Sequence, residues 1–278
     1  MPLSATLLAS GTGWRVSDVI CTSGPRDPCH VEQHSAYSIA LVTDGNFQYR
    51  TAQGSALMTP GSLLLGNEGA CFECGHQHTS GDRCLAFHFS AELFESVAAA
   101  VPGTRRMTLG LPRLAPLPAV LAPLAAAQAL RDEGGEAEEF RELALRVAGA
   151  VRTALNEHAS PARRSPTARD ERRVAAALRC IEARRGTALT IDELAAESAL
   201  SPYHFLRMFE QVVGVTPGQY MLRMRLHRAA VGLRRTDDPI ATVALDSGFE
   251  DLSTFNRQFR RATGLTPGTY RAQRLVPR

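Results

Sequence analysis

The chain has 278 residues, 44% of them hydrophobic, with 31 basic and 28 acidic residues for a formal net charge of +3. That length and apolar content suffice for two domains with packed cores. No stretch approaches the roughly 18 uninterrupted apolar residues of a membrane span, and the first thirty residues lack a charged-then-apolar leader, so the expected location is cytoplasmic with reduced cysteines and no membrane partner.

The charge is unevenly spread. Residues 1–160 hold 11 Arg against 16 acids, a balance of −5, while residues 161–278 hold 20 Arg against 12 acids, a balance of +8. A basic carboxy-terminal half is what a polyanionic partner requires. All of the basic residues are arginine, which abundant alanine suggests is a matter of GC-rich coding rather than of function.

Residues 1 to about 90 contain short apolar runs broken by Gly, Pro, Asp and Asn. Ser38–Val42, Phe47–Arg50, Ser62–Leu65 and Leu85–Phe89 read as strands, with turns at Thr43-Asp-Gly-Asn46 and Pro60-Gly61, which together predict a sandwich or small barrel. From Ala91 the chain becomes rich in alanine and leucine. One helix is predicted over 117–131 and a stronger one over 136–158, with Phe140, Leu143, Val147, Val151 and Leu155 on one stripe; such a stripe serves either a helical hairpin packed in its own domain or a homodimer contact. The polar, proline-bearing segment 159–169 reads as a linker.

Five of the six cysteines and five of the eight histidines lie between Cys21 and His88. Within Cys71-Phe-Glu-Cys74-Gly-His76-Gln-His78, followed by Cys84, two thiolates from one tight turn could share a tetrahedral cation with a nearby imidazole. Cys71, Cys74, His76 and Cys84 are therefore candidate ligands for zinc or another soft metal, with His30, His34 and His78 as alternates. Two other uses fit the same residues: cysteines buried as small apolar groups, and a pocket for an organic effector. Cys180, in a helical stretch of the basic half, reads as core.

Beyond the linker, one unit appears twice. Phe205-Leu-Arg207-Met-Phe209 and Gly214-Val-Thr-Pro-Gly218-Gln-Tyr220 return 50 residues later as Phe255-Asn-Arg257-Gln-Phe259 and Gly264-Leu-Thr-Pro-Gly268-Thr-Tyr270. Each copy reads as helix, turn and helix, with Ser201-Pro202 as N-cap and first helical residue of the second helix. Phe205, Met208, Phe209 and Val212 share a core face. The opposite face carries Tyr203, His204, Arg207 and Gln211, and in the second copy Ser253, Thr254, Asn256, Arg257 and Arg260, side chains that can read base edges or hold phosphates. A helix from Pro217 to about Arg235 joins the units and would span about 28 Å, against the roughly 34 Å between successive major grooves on one side of a duplex.

On these residues the stretch from about 171 to 273 resembles the DNA-binding domain of the AraC/XylS family of bacterial transcription regulators. The resemblance rests on Ala199-Leu-Ser-Pro-Tyr-His-Phe-Leu-Arg-Met-Phe209, Gly214-Val-Thr-Pro-Gly-Gln-Tyr220 and Gly248-Phe-Glu-Asp-Leu-Ser-Thr-Phe-Asn-Arg-Gln-Phe259. It implies recognition helices at 202–213 and 251–263. It also implies an α+β two-domain fold: a cupin-like amino-terminal β-barrel (about 1–90) with helices (about 91–158) forming a sensor and dimerisation domain over 1–158, then an all-α double helix-turn-helix over 170–278. The implied partners are double-stranded promoter DNA, RNA polymerase for an activator, a small-molecule or metal effector, and a second copy of the chain.

No Gly-x-Ser-x-Gly, P-loop or dinucleotide fingerprint occurs, and no catalytic residues are assigned. The expected function is a sequence-specific DNA-binding transcription regulator, not an enzyme, with a signal sensed by the amino-terminal domain. Two alternatives remain: a thiol that accepts an alkyl or electrophilic group on Cys71, Cys74 or Cys84, coupled to DNA binding, and a cupin-type metal enzyme.

Overall fold

In the computed structural model, which describes residues 3–76, 81–104, 107–116, 118–157, 166–184 and 189–273, the amino-terminal half is built from two antiparallel sheets. Strands and helices are numbered along the chain. The larger sheet has the order β1 (Leu3–Gly11), β2 (Trp14–Cys21), β9 (Asp82–Phe89), β4 (Tyr37–Gly45), β7 (Leu63–Gly66), β10 (Arg113–Leu114). The smaller has the order β3 (Val31–Gln33), β8 (Cys71–Gly75), β5 (Phe47–Thr51), β6 (Gly54–Met58).

Strand alternation explains why the central strands read as unbroken apolar runs. Ile39, Leu41, Leu85, Phe87 and Phe89 point into one core, beneath helices, while Ala40, Val42, Cys84 and Ala86 point into a second, between the sheets. A sheet buried on both faces needs apolar residues at every position. The expected closed cupin-like barrel is not formed: among the described residues no strand pairs from one sheet to the other, and the two lie as an open sandwich. The chain crosses between them where β4 ends at Gly45, whose φ of 74° turns the backbone toward Phe47.

Helices α1 (Ala91–Ala100), α2 (Pro118–Glu133) and α3 (Ala137–Glu157) cover the outer face of the larger sheet. The predicted stripe of α3 lies in that core, with Phe140, Leu143, Val147 and Val151 all buried. A second copy of the chain would have to meet another surface. Helix α2 has two apolar faces. Val120, Leu124 and Ala127 pack on the sheet, while Leu121 and Ala125 pack against Leu226, Ala229, Ala230 and Leu233 of the carboxy-terminal half.

That half contains α4 (Ala168–Ala183), α5 (Ile191–Glu197), α6 (Pro202–Val213), α7 (Pro217–Arg235), α8 (Ile240–Asp246), α9 (Leu252–Thr263) and α10 (Pro267–Ala272). Thr167, Thr190 and Thr216 each close a capping box with the residue three positions on, satisfying two orphan amide donors at each start. Because Thr167 starts α4, the end of the expected linker is already helical; residues 158–165 lie outside the described ones. Several polar contacts join the halves: Gln48 Nε2 donates to Glu171 Oε1 at 3.2 Å, Tyr270 Oη to the Ala122 carbonyl at 3.3 Å, and Arg235 pairs with Asp132 at 3.0 Å. Arg223 also donates to the Pro116 carbonyl.

The repeated units end α6 and α9 alike, at Gly214 with φ 87° and Gly264 with φ 77°, a left-handed conformation that costs other residues about 1–2 kcal/mol. Their surroundings differ. A Cβ on Gly214 would lie 2.9 Å from Ala115 Cβ, whereas one on Gly264 would meet nothing within 4 Å. We expect Gly264→Ala to cost about 1–2 kcal/mol in urea unfolding. Gly214→Ala should cost more and also increase proteolytic cleavage between the halves; equal effects would show that Ala115 yields freely.

Candidate nucleic-acid interface and inter-sheet cavity

In each helix-turn-helix unit three aromatic rings fix the second helix. Phe205 and Phe209 lie 5.5 Å apart between centroids, with Tyr220 of α7 at 5.8 Å from Phe209; the second unit repeats this with Phe255, Phe259 and Tyr270 at 5.3 and 5.3 Å. The edge-to-face and tilted arrangements are favoured by the ring quadrupoles. With the rings inside, helical periodicity turns the opposite side chains out.

Of the residues predicted to read DNA, Tyr203, His204, Arg207, Ser253, Asn256, Arg257 and Arg260 are exposed, while Gln211 and Thr254 are half-buried. Three are held by neighbours. The Arg207 guanidinium lies 5.9 Å from the centre of the Tyr203 ring, and His204 Nδ1 is 3.0 Å from Ser201 Oγ. The Thr254 amide donates to Asp251 Oδ1 at 2.7 Å, a helix cap that holds the Asp251 carboxyl below its usual range. Leu206 and Leu252, not assigned a role from sequence, are exposed on the same helices and can meet thymine methyl groups. The connecting helix α7 spans Pro217–Arg235, as predicted.

The second feature is a cavity of about 380 Å³ between the sheets. Cys74, His76 and Cys84 line it, and His30 stands at its exposed margin. Cys71 does not join them. The predicted tight turn is strand β8, where Phe72 and Cys74 face the cavity and Cys71 and Glu73 face out, Glu73 toward Arg50 at 3.8 Å. Pleating thus separates the two cysteines that looked paired in sequence. His78 lies outside the described residues.

Burial pushes the Cys74 and Cys84 thiols up, Cys84 well above the usual range, with Asp82 nearby as a further cause in both. A protonated buried thiol is a poor nucleophile, which weighs against the alkyl-acceptor alternative at these two positions. His34 is committed elsewhere: its Nε2 is 2.8 Å from Tyr49 Oη, and Tyr49 Oη donates to the Leu65 carbonyl at 3.2 Å. Its ring stacks on Phe72 at 4.2 Å and lies against Gly66, where any Cβ would come within 2.3 Å of Nε2. Two residues that sequence reasoning did not single out complete the cavity wall beside His76, Cys21 and Asp82. They are cross-strand partners in the β2–β9 ladder, a pairing that only the strand register reveals.

Residues 194–273 match the helix-turn-helix domain family. Over 83 residues the chain is 43% identical to the regulatory protein SoxS of Salmonella typhimurium, a match covering 30% of this chain and 78% of that one. Over 88 residues it is 41% identical to the HTH-type transcriptional regulator Rv1931c of Mycobacterium tuberculosis, covering 32% of this chain but only 34% of that regulator's length. Among solved structures, a transcriptional regulator with an AraC-type DNA-binding domain from Chromobacterium violaceum is 30% identical, with a TM-score of 0.36, over 40% of this chain and 100% of that one. The repeated helical units thus define a helix-turn-helix DNA-binding protein. The chain belongs to the AraC/XylS family of transcription regulators, whose matched members are regulators and not enzymes. Among the described residues no helix is long and apolar enough to cross a membrane.

Burial holds the imidazoles of His34, His88 and His227 at about 4, below the ordinary 6.5. The unfolded chain therefore takes up protons near pH 6.5 that the folded chain takes up only near 4, and stability is lost as pH falls through that window. We expect the urea midpoint to fall on acidification between these values and the slope to lessen in His34→Gln. A midpoint independent of pH across the window would contradict this.

Proposed function

We propose that this regulator binds promoter DNA by inserting α6 and α9 into successive major grooves, and that the cavity between the sheets receives the signal that alters this binding. The observation that carries the first part is the paired outward faces: each recognition helix is anchored by the same aromatic cluster and presents arginine with other hydrogen-bonding side chains to solvent. The 19 residues of α7 make a connector about 28 Å long, close to the groove spacing.

The second part is supported by how β5 is used. Phe47 faces the cavity and Tyr49 bonds His34 in its wall, whereas Gln48, on the opposite face, bonds Glu171 of α4. A ligand that shifts β5 would press directly on the DNA-binding half. Its effect is bounded by the difference in its affinity for the two arrangements. For an activator, RNA polymerase is the further partner.

Arg207→Ala and Arg257→Ala test the interface. If an arginine grips a guanine edge, its loss should weaken binding to the selected site by about 1–3 kcal/mol and relax preference at one base pair. If it grips phosphate, all sequences should weaken and the salt slope should fall by about one unit. Unchanged affinity and slope in both variants would remove these faces from the DNA contact.

A further inference from the structure

We infer that the cavity between the sheets binds a divalent cation of borderline softness, with zinc as the reference case, through Cys21 Sγ, an imidazole nitrogen of His76 and a carboxylate oxygen of Asp82. This inference rests on the reading of that cavity as the sensor, and it names the class of signal. The ligand set differs from the Cys-x2-Cys arrangement that the sequence suggests.

The three residues come from two strands and from the end of a third. Cys21 ends β2, His76 follows β8 directly, and Asp82 opens β9. Their ligand atoms all lie within 4.8 Å of one another. The arrangement is set by backbone. Cys21 opposes Asp82 across the β2–β9 ladder, and Gly45 opposes Asp82 on its other side. A Cβ at Gly45 would lie 2.8 Å from Asp82 Cα, so β4 can press against Asp82 only because residue 45 is glycine. His76 Nε2 and Asp82 Oδ2 are 2.5 Å apart with side chains only 4% and 8% exposed. Cys84 Sγ donates to the other carboxylate oxygen at 3.5 Å, as an outer-shell group that orients a ligand would.

The donor chemistry and the charge agree. Thiolate, imidazole and carboxylate are the groups that bind zinc, and three protein ligands leave a position open for water or a further thiol. Among the described residues lining the cavity are three carboxylates, Asp27, Glu32 and Asp82, and no arginine. In a chain with 31 arginines, an arginine-free cavity with acidic walls favours a cation over an anionic effector. The plainer alternative is that His76 and Asp82 form a structural strap between β8 and β9 and bind nothing.

The test uses the full chain, stripped with chelator and titrated with zinc or cadmium alone. We expect one equivalent bound and an ultraviolet thiolate-to-cadmium charge-transfer band. Cys21→Ser should abolish the band and lower affinity by more than about 100-fold, the upper end of what an outer-shell change costs; Asp82→Asn, which keeps a hydrogen-bonding group beside His76, should lower it comparably. Cys71→Ser, on the outward face of β8, should bind as the wild type does. Circular dichroism of each variant checks folding, and the wild-type stoichiometry decides the matter even if one variant fails to fold. Absence of binding by the wild type, or wild-type affinity in Cys21→Ser, overturns the proposal and leaves the strap. Titrating selected DNA in the same samples separates this from the sensor reading: a cation bound through Cys21 that leaves DNA affinity unchanged upholds the site and defeats the sensor role.

Discussion

Three rings packed in each helical unit decide which way its recognition helix faces. Phenylalanines four residues apart occupy one side of a helix, and a tyrosine from the following helix closes the group. Rotating either helix to bury its arginines would expose two large aromatic side chains, each worth several kcal/mol of burial. The arginine-bearing faces of α6 and α9, proposed above to meet DNA, are thus the complement of the aromatic ones. The connector α7 supplies Tyr220 to the first cluster and packs Leu226, Ala229, Ala230 and Leu233 in the core of the second, so the same packing that aims the helices also relates them to each other.

The amino-terminal half is not appended to this unit but shares residues with it. Helix α2 lies in both cores, and Leu57 of β6 is buried among residues of α4 and α6. Arg113 donates to the Leu57 carbonyl at 3.3 Å, and its burial lowers it to about 10 while nearby Glu171 favours its charge. Such a buried polar group is costly to strip of its partners. A signal that changed the disposition of the recognition helices would have to reorganise these contacts together, which favours a two-state response over a graded one.

The carboxy-terminal half was legible in the sequence because its determinants are local. Aromatic periodicity, the Ser201-Pro202 start of α6 and the terminal glycines Gly214 and Gly264 each act within a few residues, and α6 and α9 fall where those marks put them. Strands β4, β5, β7 and β9 were legible as apolar runs. Strands β1 and β2 were not: β1 is exposed along most of its length and shows no alternation to read. The open pairing of the two sheets and the candidate cation site were illegible for a different reason. Cys71 and Cys74 are close in sequence yet face apart on one strand, while Cys21 and Asp82, far apart in sequence, are paired by register. Spacing along a chain predicts proximity on a helix or in a turn, and says little across a sheet.

On the proposed function, α6 and α9, joined by α7, read one asymmetric site. Selecting binding sites for the full chain from random duplex DNA tests it most directly. The enriched sequences should contain two preferred blocks with centres about 10–10.5 base pairs apart, one helical turn, on the same face of the duplex. A single block, or two blocks whose spacing varies freely among the selected sites, would contradict the claim.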